Sequence, residues 1–393
     1  MNINNPIPRS VAKVISLLCG LLFFAFCFTY LYCLEGDLLA QAQYVFAKGV
    51  TSYNHFWAAC IIPAVLLLVQ YGVNRVVKMS GRWYAVSYFP SFLLLAIMTS
   101  VNCSTINDFT FSGWYWGCPL LLVLFVAVVW IIHHFQTSSM VDGNYSIFRY
   151  LWPNFLLMTS MILFCGACNS AGDSYLLELR AERLIMEGKY GEAAGVGRKS
   201  LVVNPRLNCL RYYALARQGL LADHLFDYPV NGDTNVLIDL TDTNTMVHRF
   251  NSKDICAYLG AIPNRFVSSP EQYLEFVMKM DSLPDARAVA DYYLCSLLMK
   301  KDLDTFRRKL PHSYPCRRNE DIVALPRIYK EALIIDRLYK GRERLFPDSV
   351  VRADYEDYVK IGGELTDSTE RANVLRRKYG NTLWWHLGID CRK

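Results

Sequence analysis

Three groups of residues have types and spacings that chemistry uses. Cys165-Gly-Ala-Cys168 has the spacing of a redox pair. Glu35 and Asp37 stand two residues apart, just after the first long apolar run. A carboxylate beside a membrane suits a general base for an acceptor hydroxyl, as in a transferase acting on a lipid-linked sugar. His248 and Arg249 lie in a stretch dense in Asn, Asp and Thr, and long irregular segments of this kind are often functional.

The elements that position these residues narrow their uses. A thioredoxin-type cysteine needs an exposed helix N-terminus to stabilise its thiolate. Cys165 and Cys168 instead close an apolar helix, where the dipole disfavours a thiolate. A lipid-attachment cysteine belongs near the start of a chain, far from residue 165. The pair therefore reads as a seam between an apolar half and a charged half. Asp37 also has a structural use, since an acidic residue at the start of a helix favours the dipole and caps free N–H groups. His248 has no nucleophile motif beside it, and no set of residues shows zinc-ligand spacing. Neither a metal nor a cofactor is expected.

The 393 residues are 53% hydrophobic and only 19% charged, with the charge concentrated after residue 172. Five apolar stretches are long enough to cross a bilayer, which takes about 20 helical residues. They are Val11–Leu34, His55–Val77, Tyr84–Val101, Gly117–Phe135 and Tyr150–Cys168. Arg9, Lys13, Arg75, Lys78, Arg82 and Arg149 fall on one side of this arrangement, and only Lys48 on the other. Cytoplasmic loops hold the excess of Lys and Arg, so the N-terminus is expected inside and the C-terminal half outside, in a bacterial periplasm. The spans lack interior acidic or basic residues, which argues against a proton-coupled transporter. Leu38, Ala42, Val45 and Phe46 recur at helical spacing, predicting an interfacial amphipathic helix near residues 37–48.

The 13 cysteines are scattered and form no disulfide framework. One bridge among Cys33, Cys103, Cys118 and Cys168 at the outer face is compatible with their positions. The net charge of +6 is spread among acidic residues, without a basic block suited to nucleic acid.

The charged half opens with "AERLIMEGKYGEAAGVGRKSLVVNP", which resembles a tetratricopeptide repeat. Gly188 breaks the first helix, Tyr190 and Ala193 pack the second against it, Lys199 and Leu201 lie towards its end, and Pro205 stops it. Gly219 repeats the turn 31 residues later, against the usual repeat of about 34. "ADYYLCSLLMKKDLDTFRRKL" has the same paired form, with Lys301-Asp302 at its turn. Residues 229–267 interrupt the helices as a long loop with one short element. The tail "YGNTLWW" places Trp384 and Trp385 side by side, as packing for the last helix or as partner contacts. "EGDLLAQAQYVFAKGVTSYN", the spans, the repeat-like helices and this tail together resemble an uncharacterised bacterial membrane family of unknown function.

The chain is thus expected to be all-α. Residues 1–169 would form a bundle of five transmembrane helices in the inner membrane, and residues 170–393 an extracytoplasmic helical-repeat domain. The expected function is a non-catalytic scaffold whose partners are the bilayer and an envelope protein or peptide. The alternative is the transferase with Glu35 or Asp37 as acid/base.

Overall fold

A computed structural model describes residues 9–79, 81–100, 114–136, 147–168, 173–198, 204–228, 236–240, 248–263, 267, 269–280, 283–339, 346–365 and 367–388. Cys103, Lys199 and Leu201, named above, lie outside these residues. Every regular element among the described residues is helical. Packing divides the chain into two units, Met1–Leu176 and Leu177–Lys393.

The first unit begins with α1 (Arg9–Thr29), which runs into a π-helical segment, Tyr30–Leu34. Then follow α2 (Gly36–Phe46), α3 (His55–Val77), a 3₁₀ stretch over Gly81–Tyr88, α4 (Phe89–Thr99), α5 (Trp114–Gln136) and α6 (Ile147–Ala167). Four stretches are long and apolar enough to cross a membrane: Ser10–Leu34, His55–Val77, Trp114–His134 and Ile147–Ala167. Their outward faces carry Leu17, Leu68, Leu124 and Leu163, all well exposed. An apolar surface of this extent calls for lipid.

The expected third span, Tyr84–Val101, is not one long α-helix. Residues 81–88 wind as a 3₁₀ helix, and α4 has only 11 residues. Pro90 has no N–H to bond back to Val86, which ends α geometry on that side. Asn154 of α6 ties the turn that precedes Pro90. Its side chain accepts from Ala85 N at 2.7 Å and donates to Gly81 O at 2.8 Å and Tyr150 O at 2.7 Å. Further polar ties surround the stretch: Ser16 to Tyr84 at 2.7 Å, Gln70 to Ser87 at 2.9 Å, and Ser91 to Leu66 O at 2.8 Å. Between them pack the rings of Phe23, Tyr88 and Phe92. The amphipathic segment near residues 37–48 is helical as α2, yet Leu38, Leu39, Ala40, Gln41 and Ala42 are all buried.

The second unit contains α7 (Asp173–Met186), α8 (Tyr190–Gly195), α9 (Pro205–Arg217), α10 (Ser252–Leu259), α11 (Pro270–Val277) and α12 (Ala286–Met299). It continues through α13 (Leu303–Ser313), α14 (Asn319–Val323), α15 (Arg327–Tyr339), α16 (Ser349–Glu364), α17 (Ser368–Tyr379) and α18 (Leu383–Leu387). Gly188 turns α7 into α8 at φ +74°, and Lys301 turns α12 into α13 at φ +63°. One core runs through the unit, centred on Tyr212, Tyr292, Tyr329 and Trp384.

The first helix pair departs from the repeat pattern. α8 stops at Gly195, and Pro205 opens α9 rather than closing α8. The cause is Arg211, only 2% exposed. Its buried guanidinium needs acceptors and finds Val196 O and Asn208 Oδ1. The chain must turn at residues 195–197 to present that carbonyl. Gly197 sits there at φ +63°, where a Cβ would come within 2.6 Å of Arg211 Nη2.

Asn154→Leu is expected to leave the Ala85 N–H buried without its acceptor, at about 1–3 kcal/mol. The thermal midpoint in detergent should fall by several degrees. An unchanged midpoint would show that Asn154 does not organise the 3₁₀ stretch.

Candidate functional site

Within the insertion near residues 229–267, residues 248–250 join a connected polar site in the second unit. Glu178 and Glu182 lie one turn apart on α7, so they share a face. Both are buried, Glu182 at 1% exposure. Asn204 caps α9 by accepting from Leu207 N at 3.2 Å, and its amide donates to Glu178. In the first turn of α9, Arg206 Nη2 reaches Glu182 Oε1 at 2.7 Å, while its Nε lies 3.7 Å from Glu178 Oε2. The insertion closes the group, with His248 Nδ1 lying 3.2 Å from Glu182 Oε1 and Phe250 O accepting from Arg206 at 3.0 Å. Burial raises the Glu178 carboxyl, and the Asn204 amide and the Arg206 charge offset part of that rise. The arrangement fastens residues 248–250 to the first helix pair.

Once fastened, the insertion presents α10. Asp254 accepts from Asn251 N at 2.7 Å to begin the helix, and Gly260 ends it at φ +107°. The Phe250 ring packs on Tyr213 at 4.7 Å, and Tyr213 meets Tyr258 of α10 at 5.4 Å. Tyr190 completes the row at 6.3 Å from Tyr213. Arg217, exposed in the last turn of α9, places its Cζ 5.0 Å over the rings of both Tyr190 and Tyr258. Tyr258 is held from behind, donating to Asp285 at 3.1 Å, where Asp285 also caps α12. Tyr190 was legible as a repeat position. Arg217 and Tyr258 were missed, because their meeting requires the insertion to dock.

The first unit has its own polar group. Glu35 is 1% exposed at the junction of the π segment and α2, and such π bulges recur at functional sites. Asp37 Oδ1 lies 3.9 Å from His55 Nε2. Gly36 makes room for the imidazole, since a Cβ there would come within 2.5 Å of His55 Nδ1. Tyr53 stands edge-on to His55 at 5.1 Å. His55 was read only as the start of a span, and its approach to Asp37 depends on the return of the chain after α2.

The remaining sequence candidates are placed as follows. Cys165 is buried and Cys168 half-buried, both as free thiols. Cys33 and Cys118 are likewise free. Among the described residues no group of His, Cys, Asp or Glu has a geometry that holds a metal ion. Ala193 is fully buried, and Gly219 follows α9 at φ +70°. Trp384 is fully buried among Tyr355, Tyr358 and Tyr379, whereas Trp385 is half-buried.

The tail docks through Glu331, which accepts from Leu383 N at 2.8 Å and Arg327 Nε at 2.9 Å. Beside it His386 stacks on Phe226 at 4.0 Å. Burial pushes the Glu331 carboxyl up to about 7 and the His386 imidazole down to about 4. Both groups thus favour their neutral forms in the folded tail. Glu331 contributes stability that is complete below its unfolded value near 4.5 and is lost as pH rises towards 7. His386 contributes stability that is complete above 6.5 and is lost as pH falls towards 4. The two slopes oppose each other between about pH 4.5 and 6.5. In that range Glu331→Gln should leave tail stability rising with pH, and His386→Asn should leave it falling. Hydrogen exchange of residues 383–387 reads both, and parallel curves for the two variants would refute the pairing.

No curated protein and no solved structure matches the chain. A family profile does match, over residues 107–264 and 265–389. These stretches take in part of the membrane-length helices together with the whole ion cluster, the docked insertion and the tail. The chain therefore belongs to DUF6057, a family of unknown function.

Proposed function

We propose that the chain is a non-catalytic scaffold of the bacterial inner membrane, which binds an envelope protein or peptide through its periplasmic helical domain. The observation that carries this reading is the row Tyr190, Tyr213, Tyr258 and Arg217, assembled by docking the insertion. Tyrosine and arginine dominate the energetic centres of protein interfaces. Paired helices commonly offer such a row on one face.

Five crossings put this domain outside. The stretch 81–99 supplies the fifth. Eight 3₁₀ residues rise about 2.0 Å each and 11 α residues about 1.5 Å each, some 32 Å together if collinear, close to the ~30 Å hydrocarbon core. With five crossings Arg149 joins the other inner-side cations, whereas with four it would lie outside. The charge bias therefore favours five.

A second reading is a transferase acting on a lipid-linked sugar or related envelope substrate. It is favoured by Asp37 standing 3.9 Å from His55 beside the buried Glu35, a geometry suited to proton transfer from an acceptor hydroxyl.

In-cell crosslinking followed by native mass spectrometry is expected to recover one stoichiometric protein partner, lost when residues 177–393 are removed. Asp37→Asn and Glu35→Gln should leave that complex intact. A retained lipid-linked sugar without a protein partner would transfer the assignment to the Glu35 and Asp37 group. For topology, alkaline phosphatase fused after residue 172 should be active, and a fluorescent cytoplasmic reporter at the same point should be dark. The reverse pattern would establish four crossings.

A further inference from the structure

We infer that Arg217 is the anchor for a single carboxylate of the bound partner, a peptide segment with one acidic side chain in otherwise uncharged sequence. This rests on the scaffold reading and specifies its partner.

Arg217 is exposed, yet two tyrosine ring faces fix its position. Among the described residues no carboxylate pairs with it. Other arginines of this unit are committed, Arg206 to Glu182 and Arg327 to Glu331 and Asp354. With its Cζ over two rings and one hydrogen bond given to the Tyr213 hydroxyl, the guanidinium keeps its remaining N–H donors for a ligand. A planar fork of N–H donors matches a carboxylate in two-pronged geometry. The rings also hold the side chain still, so less rotamer freedom is lost on binding. A lone cation at the helix C-terminus would satisfy the dipole without any aromatic neighbours. The two tyrosines add a fixed orientation that the helix dipole does not require.

The surroundings limit how much negative charge the site accepts. Asp285 holds Tyr258 at 3.1 Å, and Asp254 adds a small negative influence at Tyr213, whose hydroxyl burial raises and Arg217 lowers. A polyanion or a phosphate-rich surface prefers several cations together, whereas Asp254 and Asp285 both act on the tyrosines around Arg217. The flanking rings favour small apolar or aromatic neighbours around one acidic group.

The test uses the full-length protein in nanodiscs of uncharged lipid and three pools of fluorescent octapeptides. Their common background is Gly, Ser, Ala, Leu and Tyr, with one Glu, one Gln or four Glu at the central positions. The single-Glu pool should bind at least tenfold more tightly than the single-Gln pool, as expected for a charge-assisted pair. Arg217→Gln should erase that preference, and Arg217→Lys should lose most of it for want of the fork. Equal binding of the Glu and Gln pools, a preference that survives Arg217→Gln, or no binding by any pool would overturn the inference. So would stronger Arg217-dependent binding of the four-Glu pool or of phosphatidylglycerol vesicles. In each of those cases a crosslinked protein partner that persists keeps the scaffold reading, and its absence removes both.

Discussion

The contact of Glu182 with Arg206 and His248 is the constraint on which the face of the second unit depends. A carboxylate 1% exposed is costly without counter-charges, because removing one partner of a buried pair typically costs 3–5 kcal/mol. Here Arg206 of α9 supplies the counter-charge at 2.7 Å, and the insertion brings His248 Nδ1 to 3.2 Å from the same carboxylate oxygen. Satisfying the buried charge therefore forces the insertion against the first helix pair. Phe250 then packs on Tyr213, α10 follows from its own capping residues, and Tyr258 arrives beside Arg217. An interior ion group that would otherwise be a burden specifies where an irregular segment lies.

The first unit uses neutral polar groups for the same purpose. Asn154, Gln70, Ser87 and Ser91 satisfy backbone and hydroxyl groups around the 3₁₀ stretch. In hydrocarbon every backbone N–H and C=O must find a partner within the protein. A departure from α geometry thus survives only where side chains complete it, and the buried Asn154 does so from a neighbouring helix. The pairing of Asp37 with His55 stands at the end of the apolar stretches rather than within them.

Much of the helical content was legible because apolar periodicity, Gly188 and the Lys301-Asp302 turn are local signals, and each marks a real helix boundary. Hydropathy suggests one continuous α-helix after residue 81 because it reports composition. It does not report that Pro90 withholds a donor or that Asn154 supplies an acceptor from 69 residues away. Pro205 was assigned to the wrong helix for a related reason. Proline both ends one helix and begins the next, and only the burial of Arg211 decides that the chain turns earlier. Glu182 lies in a helix that also holds Glu178, Arg180 and Arg183, with no local sign that it is buried. Its partners lie 24 and 66 positions further on, and nothing in the spacing announces them. His248 was noticed for its setting, although its role follows from Glu182 alone.

A double-mutant cycle of Glu182→Gln and His248→Gln tests this account most directly, read as the opening free energy of the α10 amides by hydrogen exchange in the full-length protein. Local opening is the right quantity, since a chain of two units need not unfold in one step. The expected result is non-additivity on the order of 1 kcal/mol or more, with α10 loosened in both single variants. Additive effects, or an α10 as protected in Glu182→Gln as in the wild type, would contradict the claim that this buried charge holds the insertion in place.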